Sequence, residues 1–271
     1  MVEKVIRKIK SLPPLPESVM KVREICNNPE STVKELIPIV KQDPMFTADI
    51  LKAANSPLYG FSRQITSIDQ AVSLFGMGTI QGFAISYAIR KSLPIDLTPY
   101  GASPAVFTRV SWLQNALTFQ WGRPQIETYR SEIMTVSLLM ELGKVVASMV
   151  LNEEGKTEEF KAAIIHAETM EEISAIEKSH LDITSEWIAA LMFKHWQFND
   201  ILIEMMHHLL NVSEAPENIS KHTKILHVVK KAIPLTKPLC GPCVQSAYET
   251  AKRFGLDADT LAKAIETVEQ A

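Results

Sequence analysis

Several things are scarce in this chain of 271 residues, and each scarcity excludes a class of protein. No apolar run reaches the ~18 uninterrupted residues of a bilayer-crossing helix, so no membrane-spanning segment is expected. Cysteine appears only three times, too few for a disulfide scaffold. The opening "MVEKVIRKIKSLPPLP" has no long apolar core or small-residue cleavage site, so the expected location is a reducing cytoplasm. Its Val5, Ile6 and Ile9 fit a short amphipathic helix that packs on the protein rather than on a membrane. Positive charge is not in excess: 28 Lys and Arg stand against 31 Asp and Glu, a net charge of −3. A nucleic-acid partner, which needs a basic surface, is therefore not expected. There is no GxxxxGK[ST] phosphate loop, no HExxH zinc helix and no GxGxxG after a strand. The glycines of "GMGTIQGF", Gly76, Gly78 and Gly82, suit close helix packing instead.

What the chain does have is helical period. In "ESVMKVREICNN", Val19, Val22, Ile25 and Cys26 share one face. "STVKELIPIVKQDP" starts at Ser31 as N-cap, with Glu35 nearby, and ends before Pro44. The next helix takes Asp43 as N-cap and Pro44 as its first residue, and buries Phe46, Ile50, Leu51 and Ala54. A short helix "SIDQAVSLFG" stops at Gly76, and another follows it. Helices are then expected over 106–121, 128–151, 158–179, 184–196, 200–210 and 219–232, after Gly241, and from Ala258 onward. No alternating strand pattern and no fixed repeat stands out. The fold class is all-α. "PIDLTPYGASP", Pro94 to Pro104, is the densest punctuation and divides residues 1–95 from 96–271.

The first of these parts carries a resemblance. Leu12-Pro13 and Leu15-Pro16, then Asp43-Pro44, then Asn55-Ser56-Pro57-Leu58-Tyr59-Gly60, then Ile65, Ser67, Ile68, Ala71, Leu74 and Gly76 occur in that order. Together they closely resemble the HDOD domain, a bacterial signalling module related to the HD and HD-GYP metal-dependent phosphohydrolases. The resemblance continues more thinly through Trp112, "SLLMELGK" (Ser137–Lys144), Trp196 and His207-His208. It implies a multi-helical HD-like bundle as one unit over about 12–210. That bundle has an N-terminal helical subdomain, a degenerate HD-like subdomain and a helical extension matching no named motif. Asn55, Ser56, Pro57 and Gly60 also have a local reading. Pro57 keeps Ser56 out of the helical region, Gly60 frees the backbone, and Asn55 bonds into the turn.

In hydrolases of the related kind, His and Asp side chains from several helices hold one or two metal ions. The resemblance places the first His at Gln114 or Asn115, the His-Asp pair at Met140-Glu141 and a further His at Ser185. Only His207-His208 keeps imidazoles, and neighbours on a helix point about 100° apart, so the pair does not grip one ion. His180 is the nearest other imidazole to Ser185. A thioether is a poor ligand for a hard cation, and catalytic zinc takes three protein ligands. The expectation is therefore no catalytic residue, no metal and no cofactor. The protein would signal by recognising a protein partner or a small ligand. The alternative is a phosphohydrolase or phosphodiesterase with an altered ligand set, for which Glu141 is the surviving carboxylate.

"CGPC", Cys240 to Cys243, matches the thioredoxin redox motif, and a helix start beside it would lower a thiol pKa. No strand feeds it, so an inert turn into a helix is expected, with a thiol redox role as the lesser alternative. Cys26 reads as core, and "EEISAIEK" as a solvated helix face.

Overall fold

The computed structural model describes residues 1–270, and among them there are helices and no strands. The N-terminal part contains α1 (Val2–Lys10), α2 (Glu17–Asn27), α3 (Leu36–Lys41), α4 (Pro44–Ala54) and α5 (Ile68–Ser92). After a loop come α6 (Pro104–Leu117), α7 (Arg130–Leu139), α8 (Gly143–Glu153), α9 (Thr157–Ile164) and α10 (Met170–Leu181). The chain closes with α11 (Ser185–His195), α12 (Asp200–His207), α13 (Glu217–Ala232), α14 (Gly241–Arg253) and α15 (Ala258–Glu269). One hydrophobic core runs through all of them, from Val5 to Val268.

Caps explain most boundaries. Asp43 takes the backbone N–H groups of Met45 and Phe46 and starts α4, with Pro44 in the first turn. Thr32, not Ser31, caps the turn ahead of α3; Glu35 reaches back to its N–H at 2.8 Å, closing a capping box. The helix expected over 158–179 is two. Thr169 and Glu172 form a second capping box, so α10 starts afresh after a break at residues 165–169. The stretch 128–151 also splits, at a tight turn in which Leu142 N–H bonds Leu139 and Lys144 N–H bonds Glu141. Gly76 does interrupt its helix: at φ 77° it sits in the left-handed region, and α5 changes direction there.

Two stretches, Ile68–Ser92 and Arg130–Glu153, are long and apolar enough to cross a membrane. Their most apolar 18-residue windows are 72% and 94% buried inside the protein, so their apolar faces are used by the core. The loop between α5 and α6 also joins the core, since Leu97 and Tyr100 are buried and Tyr100 stacks edge-on against Phe160.

One close approach prepares the site. Gly143 begins α8, and a Cβ added there would collide with the backbone carbonyl of Ser185 at the start of α11. Only glycine lets these two helices come together, and the contact sets Lys144 beside Ser185.

Candidate functional site

The turn between α7 and α8 delivers Glu141 into the middle of the molecule, where it is fully buried. A buried carboxylate needs partners or it must take up a proton. Here it has two ammonium groups. Lys144 Nζ, from α8, lies 2.7 Å from Glu141 Oε2, and Lys230 Nζ, from α13, lies 2.8 Å from Oε1. Gln114, from α6, donates its amide N–H to Glu141 Oε1 at 2.8 Å and to the Ile233 carbonyl at 2.9 Å.

The cluster extends further. Lys230 also pairs with Glu186 of α11 at 3.1 Å and donates to the Met140 carbonyl at 3.0 Å. Lys144 donates to Ser185 Oγ at 3.0 Å and lies 3.7 Å from Glu177 of α10. Glu177 accepts from the Ser185 backbone N–H at 2.7 Å and from the Tyr100 hydroxyl at 2.9 Å. Three acids and two lysines, all buried, thus meet at the junction of α6, α8, α10, α11 and α13.

Burial opposes charge on every member, and the partners decide which way each goes. Burial alone would raise Glu141, but the Lys144 and Lys230 ammoniums overcome it and bring its pKa down to about 2. The same contest lowers Glu186, where burial yields to Lys230 and then Lys144. Glu177 goes the other way: burial pushes it up, and the nearby Lys144 does not offset that. Two ammoniums balance two carboxylates, and the third acid is the one driven towards its neutral form. Lys144 is stabilised as the cation; burial works against it, but Glu141, Glu177 and Glu186 outweigh burial.

The structure brings Gln114, the Met140 backbone, Glu141 and Ser185 into this cluster. Asn115, one residue along, faces a different set: it accepts from the Tyr59 hydroxyl and donates to the Met134 carbonyl and Ser137 Oγ. The Met140 side chain is fully buried core. His207 lies elsewhere, its ring 4.7 Å from the half-exposed Trp187 in a surface pocket of about 320 Å³ with Asp182, Ile183 and Leu210. His208 bonds Glu204 on its own helix at 3.1 Å. Asn55 stitches its turn by donating to the Leu51 and Ile65 carbonyls and accepting the Ile65 N–H. Ser56 caps Pro57–Tyr59, and Gly60 closes that turn at φ 65°. Asp43, besides capping α4, accepts from the Tyr87 hydroxyl at 3.0 Å.

Sequence reasoning missed Lys144 as a charge, along with Lys230, Glu177, Glu186 and Tyr100. It also misread "EEISAIEK", because Glu177 is buried rather than solvated. A signal was present in the spacing. Glu177 falls in phase with Ile173 and Leu181, and Lys230 with Ile219, Thr223 and Leu226, so each interrupts an apolar stripe at a core position. CGPC is the expected turn into a helix, with Cys240 as the N-cap of α14, and Cys240 and Cys243 are joined there by a disulfide. Cys26 is only partly buried, its Sγ 3.7 Å from the Met77 carbonyl.

The residues present do not fit a hydrolytic metal. The cluster's three carboxylates already face two ammonium groups and an amide, and among the described residues no three His, Cys, Asp or Glu side chains are grouped to hold an ion. Gln114 Oε1 and Glu186 Oε2 are the cluster's partnerless oxygens apart from any ion pair. One amide oxygen and one carboxylate oxygen fall short of the three protein ligands that a catalytic ion takes.

The HDOD domain family model matches residues 12–212. Among solved structures, a virulence factor from Campylobacter jejuni subsp. jejuni is 25% identical, with 100% of this chain and 99% of that one covered at a TM-score of 0.60. A Shewanella amazonensis SB2B protein, provisionally named a phosphohydrolase, is 22% identical over 98% of this chain and 97% of its own, at a TM-score of 0.64. A Marinobacter aquaeolei VT8 protein, provisionally named a signal transduction protein, is 21% identical, covering 96% of this chain and 59% of its own, at 0.63. A curated relative, an uncharacterised protein of Treponema pallidum (strain Nichols), is 24% identical over 86 residues, which is 32% of this chain and 17% of that protein.

Proposed function

The chain belongs to the HDOD domain family, and on that premise we propose that it is a signalling protein acting by recognition rather than hydrolysis. One observation carries this reading. The resemblance puts ligands of the related hydrolases at Met140-Glu141, and Glu141 is paired with Lys144 and Lys230 at 2.7 and 2.8 Å. A cation brought there would meet two fixed positive charges at close range and a carboxylate already neutralised. The centre therefore acts as a brace between helices rather than a place of reaction.

What remains for signalling is surface. The Trp187–His207 pocket and a groove of about 720 Å³ behind the Gly60–Leu74 segment are both of a size that holds a small ligand or a partner's side chains. The likeness to a protein provisionally named for signal transduction supports the same direction. The rival reading, a metal-dependent phosphohydrolase, draws on the likeness to the Shewanella protein.

Elemental analysis of the purified chain separates the two, together with hydrolysis assays on phosphate esters and cyclic di-GMP with added manganese. The expected result is sub-stoichiometric metal and no turnover. Stoichiometric transition metal, with turnover lost in Glu141→Gln, overturns the proposal.

A further inference from the structure

The disulfide at the start of α14 lies outside the buried cluster, and nothing in the recognition reading uses it. Its two sulfurs sit in opposite environments. Cys240 is the N-cap residue of α14, a helix of 13 residues, and its Sγ accepts the Cys243 backbone N–H at 3.1 Å. Cys240 is half-buried, and Gly241 and Pro242 beside it are exposed. Cys243 is 3% exposed. Its Sγ lies 3.4 Å from the Glu168 carbonyl and 3.5 Å from the Lys237 carbonyl.

These surroundings assign different chemistry to the two sulfurs. A thiolate on Cys240 would receive a backbone donor and the positive end of the helix, both of which favour the anion. A sulfur on Cys243 faces two acceptor oxygens, which favour a protonated thiol and disfavour its anion. Of the two, Cys240 is the partly exposed residue, beside the exposed Gly241 and Pro242, and so the one that a partner's sulfur reaches first. Leu239, the residue before it, is held at φ 57°, a conformation that a leucine rarely adopts, so the segment leading into the pair is itself under backbone strain.

We propose that Cys240 and Cys243 are a working dithiol–disulfide site: Cys240 is the sulfur that exchanges with a partner's disulfide or dithiol, and Cys243 resolves the intermediate. In the reducing direction, the Cys240 thiolate attacks one sulfur of a substrate disulfide. The new Cys240–substrate bond forms and the second substrate sulfur leaves as a thiolate. The Cys243 thiolate then attacks Cys240 Sγ, re-forming the internal bond and expelling the first substrate sulfur. The substrate gains two electrons and takes up the two protons the cysteine thiols released, by way of solvent. A small or protein-borne dithiol runs the same two steps backwards and returns the pair to its reduced form. The substrate class is thus an accessible disulfide presented to the Gly241–Pro242 rim. This activity is independent of whether the buried cluster is silent.

The test uses the full chain with Cys26→Ser, so that only the pair remains, and 5,5′-dithiobis(2-nitrobenzoate) as the probe disulfide. With Cys243→Ser added, Cys240 is expected to form a stable mixed disulfide. The rate should exceed that of Cys26 in the otherwise native chain by about tenfold or more, because burial pushes the Cys26 thiol up to about 12. The pH dependence of the Cys240 reaction should have its midpoint below the ~8.5 of a free thiol. With Cys240→Ser instead, Cys243 should react at least tenfold more slowly than Cys240. In the Cys26→Ser chain itself, dithiothreitol and its oxidised form should open and close the pair reversibly with the helical signal retained, a readout that does not depend on either variant folding. Equal reactivity of the two cysteines, a midpoint at or above that of a free thiol, or a bond that yields to dithiothreitol only after unfolding would overturn the proposal.

Discussion

The turn at Asn55–Gly60 and the centre around Glu141 are the two places where the family signature is densest, and they are built on different principles. The turn is local. Asn55 bonds Leu51 and Ile65, Ser56 caps the next three residues, and Gly60 takes the left-handed backbone, so each signature residue answers to the chain a few positions away. The centre is assembled from five helices whose members lie up to 116 residues apart, as Gln114 and Lys230 show. A local device persists only if its residues persist. A distributed one can exchange its chemistry and keep its geometry, provided the new groups satisfy one another.

Breaking the centre should have the largest effect. Lys230→Ala strips a partner from both Glu141 and Glu186, leaving buried charge uncompensated. The expected loss is about 3–5 kcal/mol in denaturant unfolding. Replacing the whole cluster by apolar residues of similar volume should cost far less, because no orphan is left behind. A cost as small for Lys230→Ala as for an exposed lysine would mean that the cluster does not hold the helices.

The next effect is on pH. Glu141 falls to about 2 in the folded chain from an ordinary 4.5. Its contribution, roughly 3 kcal/mol, is present above pH 4.5 and is lost as the pH drops through the folded value. Glu177 is raised, so the folded chain keeps a proton that the unfolded chain releases above 4.5. Its contribution therefore declines as pH rises past that point. Unfolding curves collected across pH should show a weaker acid limb in Glu141→Gln, with Glu186 still lowered, and a weaker opposite limb in Glu177→Gln. The same limb weakening in both variants would contradict the assignment of opposite signs.

Smaller still is the turn. Asn55→Ala removes three hydrogen bonds of a part-buried loop, for a loss of about 1–2 kcal/mol in melting experiments, and should leave the pH profile unchanged. A changed pH profile would show the two regions to be coupled. Trp187→Ala, at a residue 46% exposed on the pocket beside His207, should alter stability by only about 0.5 kcal/mol. A larger change would make the pocket part of the core rather than a surface for recognition.

How much was legible in the sequence follows the same division. Helical period, the Asp43 cap and the Gly76 break are set by near neighbours and could be read directly. The break before α10 was equally local, written as Thr169 and Glu172, but a long apolar period masked it. Glu141 was visible as a departure from pattern. Its partners were not, because pairing of Lys144, Lys230 and Glu177 depends on how α8, α10 and α13 meet in space, and a charged residue in phase with a stripe reads first as an interruption. The cysteine pair was legible as a motif, whereas the unequal surroundings of its sulfurs came only from the loops that Glu168 and Lys237 belong to.

The lysines at the centre have a consequence for how this protein lives with its surroundings. The positive charges that face Glu141 arrive with translation, at Lys144 and Lys230, joined to the chain by covalent bonds, so this pairing forms as the chain folds and draws on nothing from solution.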